Sequence, residues 1–246
     1  MEIENLFNQI SFKIEPEDNY RKAYLFRLYK LFYKLLNKEK EFEFRNCKIK
    51  TGNESEKLKK ALLQIDSMST YATGHLINQI CKKLKNDQLY LNIGCWKGFS
   101  LIAGMIETNC QVIGVDNFSE FGGPKETLVQ NFNKYENIKL HKFYELDYID
   151  FFNKFEKEKK SINFYFYDGE HSYKNQYENL ILVDQFLAND AIIMIDDINF
   201  IDVENASKDF VSKYSKNYKI LKEIKTANNH CHPSYWNGLM FIKKNF

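Results

Sequence analysis

From residue 89 onward the chain alternates short, almost wholly apolar runs with amphipathic stretches, and this rhythm constrains the fold most. The runs occupy 89–93, 111–115, 139–144, 163–167 and 191–195, with helical patterns at 98–108, 125–136, 148–158 and 173–188 between and after them. A run as apolar as Ile192-Ile193-Met194-Ile195 suits a strand covered on both faces. Strands alternating with helices build right-handed βαβ units and a parallel sheet. After a helix near 203–216, runs 218–224 and 235–243 are joined too closely for a crossover helix, which predicts an antiparallel pair. The expected fold is α/β and Rossmann-like: a seven-stranded, mostly parallel sheet with an antiparallel last strand and helices on both faces.

Ahead of this domain, at 67–246, residues 1–66 predict a helical N-terminal extension. Within 18–38 the residues Tyr24, Leu25, Leu28, Tyr29, Leu31, Phe32, Leu35 and Leu36 recur at helical spacing, and 55–66 and 70–84 read as two further helices. The aromatic stripe on 18–38 either covers the sheet or forms a homodimer contact.

At 246 residues, 44% of them hydrophobic, the chain can fill one such domain with an appendage. Its formal charge is only +2, with Lys and Glu interspersed, unlike the gathered basic face of a nucleic-acid binder. No apolar run is long enough to span a bilayer, and Met1-Glu2-Ile3-Glu4-Asn5 lacks the layout of a secretion signal. Five scattered cysteines without CxxC spacing argue against a disulfide frame or a zinc site. The expectation is a soluble, cytoplasmic protein with no nucleic-acid or membrane partner.

Chemistry gathers at the carboxyl ends of the predicted strands, where a parallel α/β sheet binds its ligands. The first strand ends in Gly94-Cys95-Trp96-Lys97-Gly98. Gly94 permits a tight turn, and Gly98 lets a helix start approach a ligand. The next strand ends in Asp116-Asn117, placed to accept from the ribose hydroxyls of an adenosine group. Helix packing and a helix-capping Asp would explain the same residues without a ligand. NAD is a competing ligand, although GxGxxG spacing is absent. Two later strands end in Asp168-Gly169-Glu170-His171 and Asp196-Asp197. Three hard carboxylates without clustered Cys or His suit Mg²⁺ or another divalent cation. His171 has the pKa range of a base near neutrality, and His230 and His232 form a second candidate pair. As bland alternatives, Asp168-Gly169 is a common turn pair and Asp196 or Asp197 a helix cap.

These motifs resemble the class I S-adenosylmethionine-dependent methyltransferases. Asp168-Gly169-Glu170-His171 with Asp196-Asp197 narrows the resemblance to the metal-dependent macrocin O-methyltransferase and cephalosporin hydroxylase-like branch, over roughly residues 68–242. The resemblance implies that Gly94, Gly98 and Ser100 wrap the methionine end of the cofactor and that Asp116 and Asn117 hold the ribose. Asp147 or Glu145, after the third strand, would face the adenine, and Ser69 and Tyr71 would lie in a cofactor lid. Asn92 stands where the family has an acid, and accepts a hydrogen bond without offering charge. Asp168, also near the cofactor, would bind the metal with Asp196 and Asp197. The implied reaction is O-methylation of a hydroxylated small molecule such as a sugar, nucleotide-sugar or secondary metabolite. A metal-dependent hydroxylase- or hydrolase-like enzyme on the same fold and a non-catalytic partner protein are the rival readings.

Overall fold

A computed structural model of the protein describes residues 3–19, 24–36, 38–50, 52, 54–156, 160–228 and 231–245. The first elements are α1 (Glu4–Phe7), β1 (Ile10–Phe12), α2 (Tyr24–Leu35), α3 (Glu39–Asn46), β2 (Cys47–Ile49), α4 (Glu56–Leu63) and α5 (Tyr71–Lys83). Then follow β3 (Leu89–Ile93), α6 (Phe99–Met105), β4 (Gln111–Asp116), α7 (Lys125–Tyr135), β5 (His141–Glu145) and α8 (Tyr148–Phe155). The chain continues through β6 (Ile162–Tyr167), α9 (Tyr173–Asp184), β7 (Leu187–Asp196), α10 (Ile201–Lys213), β8 (Tyr218–Ile224) and β9 (Leu239–Lys244).

The main sheet has seven strands in the order β5-β4-β3-β6-β7-β9-β8. The five strands from β5 to β7 are parallel, and β9 runs antiparallel to both β7 and β8. Alternation along each central strand sends side chains into two cores, one per face. Tyr90, Phe164, Phe166, Ile192 and Met194 enter one; Leu91, Tyr165, Tyr167, Ile193 and Ile195 enter the other. The runs are therefore apolar throughout because both faces are covered, as the sequence pattern predicts. From β3 the chain moves to β4 and β5 on one side, then returns to β6 and β7 on the other. That reversal opens a crevice at the carboxyl ends of β3 and β6, the ligand position in such sheets.

The N-terminal region departs from the all-helical expectation. β1 and β2 pair antiparallel, Ile10 opposite Ile49, in strands of three residues that are too short to show a period in sequence. This region shares the main core: Ile3, Leu6, Phe44 and Cys47 cluster with Tyr71 and Phe241. Buried Asn46 donates to the carbonyls of Ile14 (3.2 Å) and Pro233 (3.1 Å), tying it to the loop before β9. The apolar stripe of α2 does not cover the sheet, since Leu31, Phe32 and Leu35 are exposed.

Candidate active site

The turn after β3 is forced by its neighbour. Gly94 has φ +80°, and a Cβ there would stand 1.8 Å from the carbonyl oxygen of Asp168. The Asp168 amide in turn donates to the Ile93 carbonyl at 3.0 Å, so the ends of β3 and β6 are stitched together at this point. Gly98 begins α6 at φ +98°, a backbone value that favours glycine. A Cβ there would meet the Ile102 and Leu128 side chains, so its role is turn geometry and packing, not the ligand approach that the sequence suggested.

Asp116 holds the same turn from the end of β4. Its Oδ2 accepts from the amides of Cys95 and Trp96, both at 2.7 Å, and its Oδ1 from that of Phe118 at 2.7 Å. Asp116→Ala strands three donors, each costing roughly 1 kcal/mol or more when buried without a partner. The variant is expected to melt several degrees lower, as read by calorimetric melting.

Asn92 and Ser100 are buried outside the cavity wall. The Asn92 Oδ1 accepts from the Ser100 hydroxyl at 2.8 Å, and its amide faces the carbonyls of Ile93 (3.3 Å) and Gly94 (3.2 Å). Both residues therefore brace the turn from behind and do not reach a ligand, because their polar groups are spent on one another and on the backbone.

At the carboxyl edge of the sheet opens a cavity of about 670 Å³. The Gly94–Trp96 turn, Asp116, Asn117, Asp147, Asp168, His171 and Asp197 line it, with Trp236 and Asn237 from the loop before β9. Asp147 caps α8 through the Ile149 amide (2.9 Å) and accepts from the Asn117 side chain (3.2 Å), which fixes both residues in the wall. Ser69 and Tyr71 do not line the cavity; their neighbour Met68 does. Tyr71 is fully buried against Phe44, with ring centroids 4.8 Å apart, because α5 turns that side chain into the core.

The acids sort differently from the sequence expectation. Asp168, His171 and Asp197 each offer a ligand atom, all within 4.8 Å of one another. The His171 Nε2 lies 2.7 Å from the Asp197 Oδ2, and the imidazole stacks on Phe200 at 4.9 Å. The Asn237 amide donates to the Asp197 Oδ1 at 2.6 Å. Asp196 does not join this group. It is still in strand register, opposite Leu239, and is buried outside the cavity with its Oδ1 taken by the Asp197 amide at 2.9 Å. Consecutive strand residues face opposite ways. Asp197, at φ +61°, leaves that register and turns into the crevice. His171 thus occupies the third corner that the sequence assigned to Asp196.

Burial, then the nearby Asp197 charge, pushes the Asp168 carboxyl up to about 8, with His171 opposing. Burial alone would lower the pKa of His171, but the hydrogen bond and charge of Asp197, aided by Asp168, outweigh it and raise the imidazole. Asp196 is held far above the carboxylate range by burial and then by its two acidic neighbours.

His232 is fully buried away from the cavity, its Nδ1 2.7 Å from the Ser234 hydroxyl and its Nε2 2.9 Å from the Asp18 carbonyl. Both ring nitrogens are engaged, so it fastens the loop to the N-terminal region and is no base. His230 lies outside the described residues.

Residues that sequence reasoning missed are Trp96, Trp236 and Asn237. Non-glycine residues with positive φ collect here: Trp96, Phe118, Phe121, Asp197, Cys231 and Trp236 all line the cavity. Such backbone costs stability and gathers at functional sites. Only the turn pair Asn237-Gly238 signals any of this in the sequence.

Residues 91–198 match the family model of a methyltransferase domain. The seven-stranded sheet around that segment has the fold of the class I, S-adenosylmethionine-dependent methyltransferases. The matched segment runs from the glycine turn to the Asp196-Asp197 pair and so includes Asp116, Asp168 and His171. No curated protein matches the chain in sequence. Among solved structures it resembles an O-methyltransferase from Bacillus cereus in complex with SAH, at a TM-score of 0.59 and 11% identity, covering 78% of this chain and 92% of that one. It also resembles the O-methyltransferase TomG from Streptomyces achromogenes, involved in tomaymycin synthesis and solved with SAM. There too the TM-score is 0.59 and the identity 11%, over 78% of this chain and 91% of the other. At such identity the likeness establishes the fold.

Proposed function

We propose that the protein moves a methyl group from S-adenosylmethionine to a hydroxyl of a small molecule, with a divalent cation in the acidic corner of the cavity. The observation that carries this reading is the Asp168–His171–Asp197 cluster opening into the same cavity as Gly94 and Asp116. The cofactor would lie against the glycine turn, with Asp116 and Asn117 beside its ribose and Asp147 beside its base.

The residues suit a cation. The carboxylates of Asp168 and Asp197 would hold Mg²⁺ or Mn²⁺ through hard oxygens, and the His171 imidazole beside them is left to serve as base. Burial and then the Asp197 charge push Asp168 up to about 8, which His171 offsets only in part, and a divalent ion would supply the remaining balance. When bound, such an ion lowers the pKa of an acceptor hydroxyl. In this chain, His171 takes the hydroxyl proton. Asp197 orients the imidazole and favours its charged form, while Asn237 holds Asp197 in place. The cavity wall would hold the acceptor oxygen in line with the methyl carbon.

Calorimetry with S-adenosylhomocysteine, with and without Mg²⁺ or Mn²⁺, tests the reading. Binding heat that strengthens with the cation supports it, and no heat at millimolar ligand defeats it. A second reading, a metal-activated water attacking substrate on this fold, has one observation in its favour. With Asn92 committed behind the turn, no acid at that position reaches the methionine ammonium. Manganese binding without any S-adenosylhomocysteine heat would select it.

Titration gives a further expected outcome. The folded pKa of Asp168, about 8, lies above its unfolded value of about 3.9. The metal-free protein therefore loses stability as pH rises between those two values, since ionising Asp168 costs more when folded. Cation binding requires the carboxylate, so cation affinity rises with pH over the same window and protons are released. Melting curves from pH 5 to about pH 8, with chelator and with Mn²⁺, should diverge as pH increases.

A further inference from the structure

We propose that α2 docks the protein on an anionic lipid surface, lying flat with its apolar side in the headgroup boundary. Leu28, Tyr29, Leu31, Phe32, Leu35 and, just beyond the helix, Leu36 are between 49% and 76% exposed. Leu28, Leu31, Phe32 and Leu35 follow the i, i+3, i+4, i+7 spacing of one helix face. That face points away from the body, because the helix meets the protein through Tyr33, which packs on Phe42 and Ile14 under the Arg45 guanidinium.

The charge pattern says what covers it. Between Asn19 and Lys38 the sequence carries Arg21, Lys22, Arg27, Lys30, Lys34 and Lys38 and no acid. The whole chain has 35 cations and 33 acids, so without these six the acids are in excess. Three of them, Arg27, Lys30 and Lys34, lie within α2, which contains no acid, so the helix with the exposed apolar face carries basic charge alone. An amphipathic helix with basic residues beside Leu and aromatics is the form that settles into a membrane interface. Anionic headgroups attract such a helix.

A second copy of the chain fits less well. A two-fold contact would set α2 on α2, and the 19–38 stretch offers no acid to meet its partner's cations. Spanning is excluded by length: twelve residues make a helix of about 18 Å against a hydrocarbon core of about 30 Å. Lying flat, the same helix buries its apolar side and leaves the exposed Lys34 able to reach headgroups.

The inference does not rest on methyl transfer, so either can fail alone. The test is flotation of the full chain with vesicles of phosphatidylcholine, with and without phosphatidylglycerol. Wild type should float with the anionic vesicles at least about tenfold more than with the neutral ones, and less as salt rises. Leu31→Glu with Leu35→Glu should reduce flotation by about tenfold or more, and Lys30→Glu with Lys34→Glu by a similar factor. Unchanged melting and circular dichroism would show that these variants remain folded. Three results overturn the inference: no flotation, equal flotation on both vesicles, or recovery by polyglutamate beads but not by vesicles. A wild-type dimer made monomeric by the double Leu variant, with no vesicle binding, assigns the face to a second copy and equally overturns it.

Discussion

Gly94→Ala is expected to destabilise the protein by about 4 kcal/mol, at the upper end of single substitutions. The added methyl would fall 1.8 Å from the Asp168 carbonyl oxygen, in a backbone at φ +80°. Neither strain can be relieved by a side-chain rotation, because the obstacle is backbone. Moving Asp168 away breaks its amide bond to Ile93 and opens the cluster with His171 and Asp197. Calorimetric melting should fall by about 10 °C, given roughly 2–4 °C per kcal/mol for a chain of this size. Affinity for S-adenosylhomocysteine should be lost with it. Gly98→Ala is the control, since its methyl would meet the movable end of Ile102 at 3.2 Å. It should cost about 1–2 kcal/mol, mainly from the positive φ. Equal costs at the two positions would contradict the contact between the ends of β3 and β6.

Asp197→Asn is expected to reduce turnover on the order of a thousandfold while leaving the fold intact. Asn tolerates the left-handed backbone that Asp197 adopts at φ +61°. Its side-chain oxygen can still accept from Asn237. The charge is what disappears. Without it the His171 imidazole loses the partner that raises it, and the proposed cation site loses a ligand. His171 must be unprotonated to act as base, so a raised pKa places the acidic limb of kcat/KM above that of an ordinary histidine. In the variant that limb moves to lower pH. Formation of S-adenosylhomocysteine from S-adenosylmethionine in the presence of a panel of hydroxylated acceptors, sugars among them, measures both effects. A turnover loss with no movement of the limb would deny His171 its role as base. Asn237→Ala should shift the limb less and cost less, because it only steadies Asp197.

Much of the sheet was legible because burial on both faces writes itself into sequence as unbroken apolar runs. Ile192-Ile193-Met194-Ile195 reads as a central strand, and it is one, in β7. The β1–β2 pair was not legible, since three-residue strands carry no period and their partners lie far apart in the chain. At the site, Gly94 and Asp116 could be picked out from position alone, yet what they touch could not. Asp116 spends its oxygens on three backbone amides, and Gly98 answers to packing. The difference between Asp196 and Asp197 is one of register and a single left-handed residue, which adjacent identical side chains cannot reveal. His171 and His232 are the same residue type in equally polar settings. Only coordinates separate the ring that faces Asp197 from the ring locked between Ser234 and Asp18.

Electron paramagnetic resonance of Mn²⁺ added to the protein with saturating S-adenosylhomocysteine tests the central claim most directly. The account predicts one bound ion per wild-type chain, with affinity increasing with pH, and no bound ion in Asp168→Asn or Asp197→Asn. It also predicts full occupancy in Asp196→Asn, provided that variant keeps its fold. Manganese that binds equally well to all four proteins, or to none, would contradict it.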